Sequence, residues 1–90
     1  MSENATKSCE LALYGRVALC RDIAEHSLRR GDVVTLVDFV DHPRGGERGC
    51  VVEVFNALGE SIAVVDLPVS AVEPLRADEV LAVRSLSGTA

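Results

Sequence analysis

Gly31-Asp32-Val33-Val34-Thr35-Leu36-Val37-Asp38-Phe39-Val40, followed after one loop by Gly49-Cys50-Val51-Val52-Glu53-Val54-Phe55 and after a second by Ser61-Ile62-Ala63-Val64-Val65-Asp66-Leu67, decides the fold. Fourteen of the chain's 90 residues are valine, gathered in short runs interrupted by Gly, Pro, Asp and Asn. Short β-branched runs bounded by turn formers read as strands. Gly49 to Phe55 places Cys50, Val52 and Val54 on one face, and Asn56-Ala57-Leu58-Gly59-Glu60 turns the chain into Ser61 to Leu67, so the strands follow one another as a meander. Val33 to Val40 carries Val33, Thr35, Val37 and Phe39 on one alternating face and Val34, Leu36, Asp38 and Val40 on the other. Both faces are largely apolar, and such a strand in so small a domain needs cover on both sides, the second from a loop or another subunit. Asp41 to Glu47, polar and glycine-rich with Pro43 inside it, is expected to be an exposed hairpin loop.

Upstream, Arg16 to Cys20 sets Val17 and Leu19 against Ala18 and Cys20 and reads as a first strand, and Asp22 to Arg30 reads as a loop with room for one helical turn. Downstream, prolines bracket Pro68 to Pro74 and allow about one turn of 3₁₀ helix. Glu79 to Arg84 reads as a last strand on its β-branched content, with one helical turn as the alternative. Residues 1–10 are expected to be a disordered tail and 87–90 a flexible one, around a single domain at 11–86.

Nine Lys and Arg against fourteen Asp and Glu give a net charge of -5. Such a surface repels phosphate and handicaps nucleic-acid binding unless its arginines cluster. No apolar run is long enough to span a bilayer, and the first ten residues lack a basic-then-apolar leader pattern, so the cytoplasm is the expected location. Cys9, Cys20 and Cys50 are odd in number, widely spaced and without a Cys-x-x-Cys, which points to reduced thiols rather than a disulfide framework or a zinc knuckle.

Five short strands with a Gly-Asp turn before the second and a proline-bounded turn near the end resemble an SH3-like small barrel. The expected fold is therefore mainly β, a five-stranded barrel with a short 3₁₀ turn and an extended hairpin. Val17-Ala18-Leu19, Asp22-Ile23, Leu28-Arg29-Arg30-Gly31-Asp32-Val33, Gly49-Cys50-Val51-Val52-Glu53-Val54 and Val69-Ser70-Ala71-Val72-Glu73-Pro74-Leu75 together resemble the bacterial family known as domain of unknown function 4926, over most of residues 13 to 84. The chain departs from that pattern by the length of Val33 to Val40 plus its loop, which lengthens a hairpin and favours a dimer. Gly31-Asp32-Val33 and Gly49-Cys50-Val51-Val52 bear a looser similarity to KOW-type barrels, which would imply an RNA contact.

No arrangement of residues fixes a reaction. His26 and His42 have no base-holding partner or oxyanion motif beside them, so no catalytic residue and no enzymatic activity are expected. Asp38, Asp41, His42 and Glu47 are oxygen and imidazole ligand types in no calcium or zinc spacing, and charges that keep a hairpin tip soluble explain them as well. Cys20, His26, His42 and Cys50 are zinc ligand types, but the cysteines read better as small core residues, so no metal or cofactor is expected. Arg29, Arg30, Arg44 and Arg48 would form a nucleic-acid patch if their loops met, yet no aromatic platform accompanies them and pairing with Glu25, Asp32, Asp41 and Glu47 accounts for them. An apolar strand rimmed by charge is the expected partner-binding surface: Val34, Leu36, Phe39 and Val40 with His42, Arg44 and Arg48. The expected function is thus noncatalytic protein–protein contact, as a homodimer or as an accessory subunit of a larger protein. The alternatives are a KOW-like RNA or ribonucleoprotein contact, and an antitoxin-like or other small regulatory partner whose acidity masks a basic surface.

Overall fold

β1 (Arg16–Leu19), β2 (Val33–Val40), β3 (Gly49–Phe55), β4 (Ser61–Pro68) and β5 (Val72–Pro74) form one antiparallel sheet in the order β4-β3-β2-β1-β5, in a computed structural model that describes residues 11–41 and 45–86. The tails expected at 1–10 and 87–90 lie outside the described residues, as do His42, Pro43 and Arg44. Two 3₁₀ turns, Ala24–His26 and Val69–Ala71, supply the only helical structure among the described residues. The first is the single turn foreseen in the loop after β1. The expected barrel is open in its ladder, because β4 and β5 end the strand order without pairing with each other.

Alternation builds the core. Cys50, Val52 and Val54 of β3 point inward with Val65 and Leu67 of β4, Val17 and Leu19 of β1, and Val34 and Leu36 of β2, and Ile23 and Leu28 close one end. Strict alternation fails in β2. Leu36 pairs with Val52 but Asp38 pairs with Val51, so Val37 is an extra residue and the strand changes parity there. The bulge turns Phe39 onto the core and Asp38 outward, reversing the faces expected for the second half of the strand. Without it Asp38 would share the face of Val34 and Leu36, and burying an unpaired carboxylate costs far more than an irregular ladder.

The fifth strand is not at 79–84. Proline-bracketed residues 68–74 make the 3₁₀ turn and then, immediately, β5, whose Val72, Glu73 and Pro74 pair with Leu19, Ala18 and Val17. Pro74 lacks an N–H and is tolerated because β5 is a sheet edge. β1 is paired on both sides, by β2 and β5, and Val80 to Val83 form neither strand nor helix. The β3–β4 turn is held by Asn56, whose Oδ1 accepts the N–H groups of Leu58 and Glu60, with Gly59 at φ 85° where an L residue would be strained.

Candidate protein-contact surface

The sheet separates the residues that sequence groups together. Val34 and Leu36 belong to the core and contribute nothing to a surface. Phe39 is half-buried, with the Arg48 guanidinium 4.2 Å from its ring centroid, and Arg48 in turn pairs with Asp41 at 3.2 Å. Val40, opposite Gly49, is 50% exposed. Phe39, Val40 and Arg48 thus remain together at one end of β2, while His42 and Arg44 lie outside the described residues.

Arg29 and Arg30 precede β2 and Arg48 follows it, so a strand of roughly 23–26 Å lies between them. These three arginines do not make one patch. The main-chain N–H of Arg29 donates to Asp32 Oδ2 at 2.8 Å and that of Arg30 to Asp22 Oδ1 at 2.9 Å, contacts that shape the turn before β2. Of the acids expected to pair with these arginines, Asp41 meets Arg48, whereas Asp32 holds Arg84 and Glu47 accepts the Ser70 N–H at 2.7 Å. The Ser70 hydroxyl and N–H hold the Glu47 carboxyl below its usual range.

Among the described residues no three His, Cys, Asp or Glu side chains gather as a metal site requires, and no polar or charged side chain is buried. Asp38 Oδ1 accepts the Phe39 N–H, and the Cys20 thiol donates to the Ser70 carbonyl. Cys50 lies in the core, where burial, followed by the charges of Asp66 and Glu47, pushes its thiol pKa up. A protonated, enclosed thiol is a poor nucleophile. Iodoacetamide at pH 8 is therefore expected to leave Cys50 unmodified in the native protein and to alkylate it only in denaturant, as peptide mass spectrometry would read. Rapid native labelling would place Cys50 outside the core.

Another group of exposed apolar side chains lies on the other side of β3. Phe55, Leu58, Ile62 and Val64 are exposed on the β3–β4 hairpin and β4, and Val64 is 62% exposed. β4 is an eight-residue edge strand, and β3 is the only strand it pairs with among the described residues. Its outward side chains include one charge, Asp66. The opposite edge, β5, is three residues long and ends in proline. Natural sheets blunt their edges with brevity, Pro, Lys or bulges, and of these β4 has only Pro68 at its end and a bulge at its hairpin start.

Residues 75–86 cross back over the sheet and leave an open groove of about 940 Å³, lined among others by Ala18, Val33, Phe55, Ile62, Leu81 and Val83. Ala18 faces away from the main core cluster yet is buried, as a residue beneath this strap would be. The strap holds by polar contacts. Arg84 Nε donates to Asp32 Oδ1 at 2.9 Å, its Nη2 donates to Asp32 Oδ2 and to the Ser27 carbonyl at 3.0 Å, and Val80 and Val83 remain 91% and 89% exposed.

These features define a small antiparallel β domain with one protected and one open edge. The chain belongs to the family described as domain of unknown function (DUF4926), whose model matches residues 13–74. The match ends where β5 ends, so the strap lies beyond it. No curated protein and no solved structure matches the chain significantly. No helix among the described residues is long and apolar enough to cross a membrane. Sequence reasoning passed over β4 as a surface because its alternation looked like that of any half-buried strand. The signal that could have found it was the lack of Lys, Arg or Glu between Ser61 and Pro68.

Proposed function

We propose that the protein is a noncatalytic cytoplasmic binding module that acts through contact with another protein chain, by adding a strand of its partner to β4. The observation that carries this reading is the eight-residue β4 edge, whose outer side pairs with no strand among the described residues, beside the exposed Phe55, Ile62 and Val64. An open edge supplies main-chain donors and acceptors for affinity, and the alternate side chains supply selectivity. Accessory-subunit and antitoxin-like roles both fall within this reading, since each needs one protein-facing surface on a small acidic domain.

A photo-crosslinking amino acid at position 64, in the full chain expressed in its native host, tests it. The expected result is a discrete protein adduct from position 64 and none from position 25, on the first 3₁₀ turn. An RNA adduct, or no adduct above the position 25 control, would overturn the reading.

A further inference from the structure

We infer that residues 75–86 are an internal stand-in on the groove, and that they hold it against an extended segment of a partner protein that carries an arginine among apolar residues and takes the strap's place on Asp32. The inference stands whether or not a strand adds to β4.

The two halves of the contact come from different parts of the chain. Asp32 and Ser27, which accept the Arg84 guanidinium, lie within the family match at residues 13–74, whereas Arg84 lies beyond it. Both acceptors are set by the domain's own turns. The Arg29 N–H holds Asp32 Oδ2 at 2.8 Å, and Ser27 closes the first 3₁₀ turn at φ 59° with its N–H on the Ala24 carbonyl. A carboxylate beside a carbonyl matches the planar donor fork of arginine, a geometry that the compact ammonium of lysine does not reproduce. The docking point is therefore built without the strap, and it selects a guanidinium.

The strap fits that point and fills little else. Among the described residues, the only bond between main-chain groups within 75–86 runs from the Glu79 N–H to the Arg76 carbonyl and stays inside the strap, so lifting the strap breaks no ladder. Leu81 and Leu86 are half-exposed, and the groove beneath stays open between walls that include Leu28, Val33, Phe55 and Ile62. A segment with larger side chains toward the groove buries apolar surface that the strap leaves in water. The net charge of -5 favours approach of a cationic segment. The strap's advantage is its tether to β5, which gives it an effective concentration on the order of millimolar. That excludes weak competitors and admits a segment that adds apolar contact to the same arginine.

The probe is a synthetic peptide with the sequence of residues 75–86, titrated to millimolar concentration into the isotope-labelled full chain. In Arg84→Ala, whose own strap is released, the peptide is expected to shift the amide signals of Ser27 and Asp32. It should bind there at least about tenfold more tightly than to the wild type, where the tethered strap competes. A peptide carrying Arg84→Lys is expected to bind several-fold more weakly. A peptide carrying Ala82→Leu, at a position that lines the groove, is expected to bind more tightly and to displace the wild-type strap, seen as a fall in the backbone NOE at Val80 to Val83. No shifts in Arg84→Ala, equal binding to variant and wild type, or indifference to Arg84→Lys would overturn the inference. Failure of the Ala82→Leu peptide to displace the wild-type strap would reduce the strap to a brace and overturn the partner's role. A wild-type chain sedimenting at twice 9.6 kDa, with Arg84→Ala at the single-chain mass, would place a second copy's strap in the groove and overturn it as well.

Discussion

Leu36→Ala is expected to lower the unfolding free energy by about 2–5 kcal/mol, the cost of removing a buried leucine side chain from a core that collapses only partly around the gap. Leu36 is 0% exposed and sits on a strand paired on both sides. Its N–H donates to the Gly15 carbonyl at 2.9 Å and its carbonyl accepts the Tyr14 N–H, so its backbone is anchored beside the site of the deletion and the cavity has little freedom to close. Small domains are stable by only about 5–15 kcal/mol, so this one change removes a large part of the total. Val40→Ala, on the same strand but half-exposed, is expected to change stability by no more than about 0.5 kcal/mol. Urea denaturation of both variants separates the core from the surface reading of β2. A loss under about 1 kcal/mol for Leu36→Ala would return Leu36 to the partner surface on which its sequence neighbours first suggested it lies.

The contrast between Leu36 and Val40 shows where the sequence was legible. β3 is readable because Cys50, Val52 and Val54 alternate without interruption, and the structure places all three in the core. β2 is readable in extent but not in parity, because one extra residue at Val37 exchanges its faces. A clue was present: a strict alternation required Asp38 inside with Val34 and Leu36, and a carboxylate on a core face signals a bulge or a wrong register. β5 was hidden by its length. Three residues ending in proline carry no periodicity, and their pairing with β1 depends on the 3₁₀ turn that carries the chain from β4 to that edge. The longer valine-containing run at 79–84 was the stronger local signal, but the edge of β1 is taken by β5 and the run forms neither strand nor helix.

No local pattern could have linked Arg84 to Asp32, 52 residues apart, and that contact carries the second large effect. Arg84→Ala is expected to release residues 79–86 while leaving the sheet folded, seen as a several-fold faster elastase cleavage between Val80 and Val83 and a fall in the backbone NOE confined to this segment. The exposed valines bury too little to hold the strap without the guanidinium. Arg84 and Asp32 are largely covered, unlike the mostly exposed Arg48 and Asp41, so salt should weaken the strap contact less than the other pair. Burial acts to raise the Asp32 carboxyl, but the Arg84 hydrogen bond, the Arg29 N–H and the charges of both arginines outweigh it and hold the pKa below the ordinary 3.8. A depressed carboxyl stabilises the bound form fully above its ordinary pKa, and that contribution disappears as pH falls through the lower folded value. The wild-type strap should therefore stay closed from neutrality down to about pH 4 and open below it. Asp32 also accepts the Arg29 N–H that shapes the turn, so Asp32→Asn would disturb two structures at once, whereas Arg84→Ala isolates the strap. In that variant the segment should be equally mobile at pH 7 and pH 3. A wild-type strap that remained protected at pH 2, or a variant as protected as wild type at pH 7, would show that contacts other than the ion pair hold residues 79–86 in place.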